Sequence, residues 1–432
     1  MLTAVRGAPP PENPPPLVFV TMPTAVPPRE LDEFLSRAVS SVSVLGDLRA
    51  ALASGGRQLR IKQGFDPTHA NLHLGHAISL RKLRTLSRWG HEIVLIVGDW
   101  TTQIGDPTDR DLTRPLKSRD EVMANAQSYL DQFHLIVPRE NARVVLQDEW
   151  YGTFGLRDVI ELSSRFTAQQ MLAREEFRKR LDKKTPIPIK DLLYPLLQAY
   201  DSVAIKADVE FGGTDQLFNI LAGRELQEQI GQRPQAVFIV EMLEGLDGDQ
   251  MHKSKPATAI WLVDPPSVVY GKVMAIQDQL MPHYFEWATE MPLGEVRTIL
   301  DALARKELHP REAKRTLARR ITGELHSAAA AEEAERAFDR LHKERQAPEQ
   351  VATFRSELDP SNSSVADLLT STGLASSKSN ALRLIQQGGV RINEVHVKAN
   401  APISTVAPSA SAAEGLLVQV GKRNFLRVSF GG

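Results

Sequence analysis

His73 and His76 stand three residues apart at the head of a helical pattern, directly after Lys62-Gln63-Gly64-Phe65-Asp66-Pro67-Thr68. Asp66-Pro67 breaks an extended lead-in at Leu59-Arg60-Ile61, because the residue before a proline is driven out of the helical region. From Leu72 onward apolar residues recur at helical spacing (Ile78, Leu80, Leu83, Leu86). A helix starting here directs unpaired N–H groups and the positive end of its dipole into the loop, a ready site for phosphate. Two imidazoles on one face of that first turn add donors to the same anion. The competing readings are a pair of metal ligands, for which no nearby Glu or Cys completes a set, and two ordinary helix-start residues.

Three further stretches carry polar groups at telling spacings. Tyr194, Gln198 and Asp201 lie four and three residues apart, so a helix puts them on one face among apolar neighbours. They read either as the polar face of an amphipathic helix or as a set converging on one small molecule, with a ligand as partner for the buried groups. Gly212-Gly213-Thr214-Asp215-Gln216 follows a short apolar strand; paired glycines admit close backbone approach, and an Asp there can accept ribose hydroxyls. On its own this is only a turn signal. Gly245-Leu246-Asp247-Gly248-Asp249-Gln250-Met251-His252-Lys253-Ser254-Lys255-Pro256 is a polar loop whose lysines could close on a triphosphate, or simply be exposed.

The elements that would position these groups follow from periodicity. Ile93 to Val97, bounded by Gly98, and Val237 to Val240 are continuous β-branched or apolar runs, the mark of buried parallel strands. Strand, helix, strand is the unit of a doubly wound sheet, and both the histidine loop and the Gly105-Asp106-Pro107-Thr108 turn fall at carboxyl ends of its strands, where ligands bind. A helix is expected from Arg29 to about Ala53. Residues 115–190 read as mainly helical and highly charged, residues 270–350 as helical, and Asp359 to Ser364 as a linker. Short strands are expected at Val390–Asn393, Leu416–Val420 and Phe425–Phe430. Residues 1–28 are proline-rich and read as an extended tail, with the features of neither a signal nor a transit peptide.

At 432 residues, with 42% hydrophobic and 24% charged residues, the chain has material for two to four globular domains. It has no cysteine, which excludes disulfides, thiolate metal sites and cysteine nucleophiles. No apolar run is long enough for a membrane span. The net charge is −1, so nucleic-acid contact must come from a local patch. Residues 360–432 supply one: seven basic residues (Lys378, Arg383, Arg391, Lys398, Lys422, Arg423, Arg427) against three acidic ones, a formal +4.

His73-Leu74-Gly75-His76 resembles the signature of class I aminoacyl-tRNA synthetases, and the Gly-Phe-Asp-Pro-Thr prefix resembles their tyrosine/tryptophan branch. Together with the other motifs, the chain is similar to bacterial tyrosyl-tRNA synthetases from about Leu59 to about Pro266, and more loosely beyond. Ser379-Asn380-Ala381 through Gly389-Val390-Arg391-Ile392 resembles an RNA-binding module shared with a ribosomal small-subunit protein. The resemblance implies an α/β Rossmann-like catalytic domain over 29–269 with a helical connecting insertion. A helical anticodon-side domain over 270–355 and a small α+β RNA-binding domain over 361–432 would follow. It implies tyrosine–tRNA ligase chemistry: ATP and L-tyrosine give tyrosyl-adenylate and pyrophosphate, and the tyrosyl group then passes to tyrosine tRNA. Mg2+ would ride on the ATP phosphates, with no metal held by the protein, and the enzyme would be a cytoplasmic homodimer without membrane contact.

Carried onto this chain, the resemblance makes His73, His76, Thr68 and Lys253 catalytic. It assigns tyrosine to Tyr194, Gln198, Asp201, Asp106 and Gln216, and ATP to Gly64, Asp66, Gly75, Gly213, Asp215, Lys253 and Lys255. Two departures stand out. The family's Lys-Met-Ser-Lys-Ser loop reads Gln250-Met251-His252-Lys253-Ser254, so weaker ATP handling, or help from Lys255, Arg110 or Arg114, is expected. Lys62 stands where some members carry a tyrosine that touches the substrate hydroxyl. The rival readings are a paralogue that activates tyrosine or a related amino acid for another acceptor, and a non-catalytic RNA-binding relative.

Overall fold

The computed structural model of the chain describes residues 23–106, 118–253, 255–341, 351–393, 395–407, 415–421 and 424–430. The proline-rich head before Pro23, Pro107 and Thr108, Arg110 and Arg114, Ser254, and Lys422 with Arg423 lie outside them. The chain divides into two compact units, Met1–Leu325 and His326–Gly432.

The first unit begins with α1 (Pro28–Ser36), β1 (Val39–Val42) and α2 (Leu45–Ser54), then β2 (Arg60–Phe65), α3 (Leu74–Arg88) and β3 (Glu92–Val97). A short α4 (Thr101–Ile104) precedes α5 (Arg119–Phe133), β4 (Ala142–Leu146), α6 (Asp148–Tyr151), α7 (Leu156–Ser163), α8 (Ala168–Leu172) and α9 (Glu175–Asp182). The long α10 (Ile189–Ala204), β5 (Val209–Gly213), α11 (Leu217–Gln229) and β6 (Ala236–Val240) complete the sheet. Its order is β1-β6-β5-β2-β3-β4; only β1 is antiparallel to its neighbour. The chain winds from β2 outward through β3 and β4, then returns to β5 on the other side. The switch point therefore lies between β2 and β5, and a crevice opens at their carboxyl ends. β3 and β6 are buried along nearly their whole length, as the unbroken apolar runs require.

One expectation from periodicity needs correcting. The helix expected over Arg29–Ala53 is split by β1, entered and left through Ala38 and Val44 in the left-handed region. β1 adds to the edge of the sheet, and tertiary pairing outweighs local helical propensity. The charged stretch 115–190 is mainly helical, as expected, and also holds the unanticipated edge strand β4 (Ala142–Leu146), paired with β3. The helices α12 (Pro266–Met274), α13 (Met281–Trp287), α14 (Leu293–Ala304) and α15 (Pro310–Leu325) belong to the first unit, with Val269, Val273, Tyr284, Phe285, Leu317 and Ile321 buried.

The second unit holds α16 (Ala328–Asp339), β7 (Thr353–Ser356), α17 (Val365–Ser371), α18 (Lys378–Gln386), β8 (Val390–Ile392), β9 (Val395–His396), α19 (Ile403–Val406), β10 (Leu416–Val420) and β11 (Asn424–Phe430). Its sheet runs β7-β11-β10-β8-β9 over a core that includes Leu368, Ile385, Ile392 and Val418. The three expected short strands are present. β7 was not anticipated and pairs with the last strand, so Asp359–Ser364 is a turn inside this unit rather than a linker before it. Ser364 and Ser377 cap α17 and α18. Among the described residues no helix is long and apolar enough to cross a membrane.

Candidate active site

A cavity of about 300 Å3 opens at the switch point. Every residue given a tyrosine, ATP or catalytic role above except Lys255 borders it: Gly64, Asp66, Thr68, His73, Gly75, His76, Asp106, Tyr194, Gln198, Asp201, Gly213, Asp215, Gln216 and Lys253. Side chains 190 positions apart meet here because β2, β5 and α10 all end at, or run past, the same crevice.

His73 is the N-cap of α3 and His76 lies in its first turn. His76 Nδ1 lies 3.2 Å from the His73 N–H and 3.3 Å from the His73 carbonyl; in the tautomer that accepts from the N–H, the ring proton sits on Nε2 and can be donated. Burial lowers the His73 imidazole to about 3 and drives His76 well below its ordinary value, with Lys253 adding to both shifts. Both rings are therefore neutral donors at neutral pH. Gly75 between them lets the rings pack closely, since a Cβ there would lie 3.1 Å from the His73 ring and would push it by a few tenths of an ångström. The preceding loop is held by side chains of α5: Asn125 donates to the Pro67 carbonyl (3.0 Å), and Gln132 both accepts from the Leu72 N–H and donates to the Ala70 carbonyl (2.7 Å each).

At the other end, α10 presents Tyr194, Gln198 and Asp201 to the cavity as the spacing predicts. Tyr194 OH donates to Asp66 Oδ2 (2.8 Å), and Thr101 Oγ1 donates to Asp66 Oδ1 (2.7 Å). Asp66 thereby joins the histidine loop to the helix. Asp201 accepts from Gln147 Nε2 (2.8 Å) and Trp150 Nε1 (3.1 Å). The Tyr151 hydroxyl, 3.3 Å away, has one proton and a shorter bond to the Leu197 carbonyl (2.5 Å). Two firm donors leave this carboxylate with room for another. Burial raises Asp66 and Asp201 alike to about 7.

Gln216 Nε2 donates to Asp106 Oδ2 (2.9 Å) and to Asp215 (3.1 Å), forming an acidic corner with Arg174 3.8 Å from Asp106. Burial also raises the Asp215 carboxyl. The paired glycines before it pack closely: a Cβ on Gly212 would lie 2.6 Å from Ile220 Cδ1, and one on Gly213 would lie 2.4 Å from Met242 Sδ, so either would force a neighbouring side chain to move. Gly64 differs, since a Cβ there would meet nothing within 4 Å; its missing side chain leaves open cavity space for a ligand.

The polar loop after β6 closes the cavity. Gln250, Met251, His252 and Lys253 line it, with Lys253 Nζ 5.3 Å from the Tyr129 ring centre. Tyr129 in turn stacks on Phe65, centroids 3.5 Å apart. Lys255 lies outside the lining and is paired with Asp247 (3.0 Å) and Asp249 (2.6 Å). The segment just beyond is tied to the histidine loop, Leu74 N–H to Ile260 O (2.8 Å) and Leu262 N–H to Leu72 O (2.9 Å), so the two walls share one base. Sequence reasoning did not single out Gly98, Thr101, Tyr129, Gln147 or Trp150. Gly98 could have been found as the residue ending a buried strand; Gln147 and Trp150 follow β4, a strand with no clear pattern. Among the described residues no group of three or more His, Asp or Glu could hold a metal ion.

A nucleotide-type crevice, a helix start bearing His-Leu-Gly-His and a lysine-bearing loop define a class I tRNA synthetase. The family model described as tRNA synthetases class I (W and Y) matches residues 54–343, and the chain belongs to that family. An S4 domain model matches residues 365–405. Curated relatives are tyrosine–tRNA ligases: one from Dehalococcoides mccartyi is 45% identical over 395 residues, 91% of this chain and 97% of that one. Another, from Geobacter sulfurreducens, is 39% identical over 378 residues, 88% and 92% of the two chains. In fold, the chain resembles the tyrosyl-tRNA synthetase of Archaeoglobus fulgidus complexed with L-tyrosine, with a TM-score of 0.57 at 20% identity over 71% of this chain and 99% of that one.

Proposed function

We propose that the chain is a tyrosine–tRNA ligase that activates L-tyrosine with ATP and transfers it to tyrosine tRNA. One observation carries the reading. A single cavity joins a buried carboxylate with a vacant acceptor position, Asp201, to a helix start bearing two neutral imidazole donors. Its two ends suit a phenolic hydroxyl and an α-phosphate.

Tyrosine binds with its hydroxyl donating to Asp201, while Tyr194, Gln198, Asp106 and Gln216 surround its amino end. ATP occupies the open space over Gly64, its ribose at Gly213 and Asp215 and its phosphates at Thr68, His73 and His76. Mg2+ comes with those phosphates as part of the substrate. A carboxylate oxygen of tyrosine attacks the α-phosphorus; the bond to the bridging oxygen breaks, and pyrophosphate leaves with the electron pair. Negative charge builds on the equatorial oxygens, where His76 Nε2–H and the N-terminal dipole of α3 stabilise it, while Lys253 neutralises the departing pyrophosphate. Neutral imidazoles suit a donor role, because they stabilise the transition state without a proton transfer. The ribose hydroxyl of the tRNA terminus then attacks the tyrosyl carbonyl and AMP leaves. No side chain is acylated, and catalysis is positioning plus electrostatics.

The second unit supplies tRNA contact, with exposed Lys378, Arg383 and Lys398 on its surface. Leu156 and Ile160, four residues apart on α7, are 76% and 60% exposed, an apolar stripe suited to a second copy of the chain. The reading places the enzyme in the cytoplasm. ATP–pyrophosphate exchange across all amino acids tests it: tyrosine should support exchange, and no tyrosine-dependent exchange in folded protein refutes it. Exchange without tRNA charging would favour the paralogue reading.

A further inference from the structure

Behind the tyrosine-facing helix lies a charge pair that the mechanism above does not use. Lys62 on β2 and Glu210 on β5 are register partners in the middle of the sheet, with side chains 0% and 1% exposed. Lys62 Nζ lies 2.8 Å from Glu210 Oε1 and donates to Ser202 Oγ (2.7 Å) and the Gln198 carbonyl (3.1 Å). An ammonium has three donors, and all are used, so Lys62 has none left for a ligand. Glu210 accepts from Ser202 (2.9 Å), Gln235 (2.5 Å) and the Gln198 side-chain amide (3.4 Å). Room for this network is built into α11: a Cβ on Gly223 would lie 2.8 Å from Ser202 Oγ and 2.9 Å from Gln235 Nε2.

Gln198 and Ser202 flank Asp201 on α10. The carboxylate of Glu210 can only accept, so it turns the Gln198 NH2 toward itself and leaves Gln198 Oε1 to accept from Asn219 (2.9 Å). Asn219 also donates to Gln216 Oε1 (3.2 Å), and Gln216 reaches Asp106. One hydrogen-bonded chain thus runs from the buried pair to the corner assigned to the amino group. At the hydroxyl end, the Lys62 ammonium is the strongest influence opposing the effect of burial on Asp201.

We propose that Lys62 and Glu210 are a positioning pair for tyrosine recognition: Lys62 supports the Asp201 carboxylate from inside the sheet, and Glu210 sets the orientation of the Gln198 amide. Glu210 borders the cavity and Lys62 does not, and the pair acts on tyrosine through Gln198 and Asp201. It rests on the tyrosine reading above. A purely structural pair would be felt in folding and in every substrate alike; a positioning pair is felt in tyrosine affinity and in the choice of tyrosine over phenylalanine.

The test uses the full chain, with Glu210→Gln and the charge-balanced double variant Lys62→Met/Glu210→Gln, which leaves no lone buried charge. Circular dichroism and melting establish folding; exchange kinetics give KM for tyrosine, KM for ATP, kcat, and the tyrosine/phenylalanine ratio of kcat/KM. The expected result is a rise in tyrosine KM of about tenfold or more, the worth of one charge-assisted hydrogen bond. ATP KM should stay within about twofold, and the preference for tyrosine should shrink. Unchanged tyrosine KM in either folded variant overturns the proposal, as does an equal loss for tyrosine, phenylalanine and ATP. Absence of tyrosine-dependent exchange in the parent protein instead overturns the tyrosine reading, and this proposal with it.

Discussion

Replacing Gly98 by alanine isolates the role of Asp66 as the joint between the two ends of the site. The position is not in the left-handed region, so an alanine meets no backbone objection. Its Cβ would lie 2.1 Å from Asp66 Oδ1 and 2.4 Å from Thr101 Oγ1. Withdrawal to 3.0 Å, the shortest separation such atoms tolerate, requires the carboxylate to move by at least 0.9 Å. The bonds at stake are 2.7 Å to Thr101 and 2.8 Å to Tyr194, and a shift of that size directly away from either partner takes its bond beyond hydrogen-bond range. Overpacking costs about 1–3 kcal/mol, and each lost bond to a charged group costs about 1.5–3 kcal/mol, partly recovered by relaxation. A destabilisation of about 2–4 kcal/mol is expected, and misplacement near 1 Å costs on the order of 100-fold in kcat/KM for exchange. Gly64→Ala is the counterpart. Its Cβ has space, so the melting midpoint should hold, while KM for ATP rises because that space is the nucleotide's. Parental melting and exchange in Gly98→Ala would refute this account of Asp66.

Further outcomes can be measured. His76→Ala should lower kcat for exchange by about 100- to 1,000-fold, as for loss of a transition-state donor, with little change in tyrosine binding by calorimetry. Lys253→Ala should slow adenylate formation far more than it weakens tyrosine binding in single-turnover kinetics, whereas Lys255→Ala should be nearly silent, since Lys255 is held outside the cavity by Asp247 and Asp249. Asp66 and Asp201 bind protons more tightly folded than unfolded, so the stability they contribute is full below the ordinary carboxyl value and lost as pH rises toward about 7. The bond from the substrate hydroxyl is charge-assisted only when Asp201 is ionised, so tyrosine KM should rise below pH 7 by at most about tenfold per unit, and a flat profile there would refute the assignment. Removal of the second compact unit, His326–Gly432, should spare exchange and impair tRNA charging, read as labelled tyrosine precipitated with tRNA.

The site was more legible than the scaffold around it. His73, Gly75 and His76 could be read because a helix start and its spacing are local properties, set by residues a few positions apart. Tyr194, Gln198 and Asp201 could be read for the same reason. β1 and β4 could not: Val39–Val42 and Ala142–Leu146 are short edge strands whose pairing is decided by distant neighbours, β6 and β3, and not by their own pattern. Gln147 escaped notice with them, because only the position of β4 brings it to Asp201.

The sequence by itself determined the parts of the site: two imidazoles on one turn, a three-residue polar face on one helix, and a glycine pair at a turn after a strand. Local geometry places such groups whatever the rest of the chain does. Tertiary structure alone decided their surroundings. It put Lys62 against Glu210 in the middle of the sheet, turned Lys255 away while leaving Lys253 in the wall, and buried Asp66 and Asp201 deeply enough to raise both to about 7. Burial, charge pairing and desolvation depend on what packs against a residue from far along the chain, and no spacing encodes that.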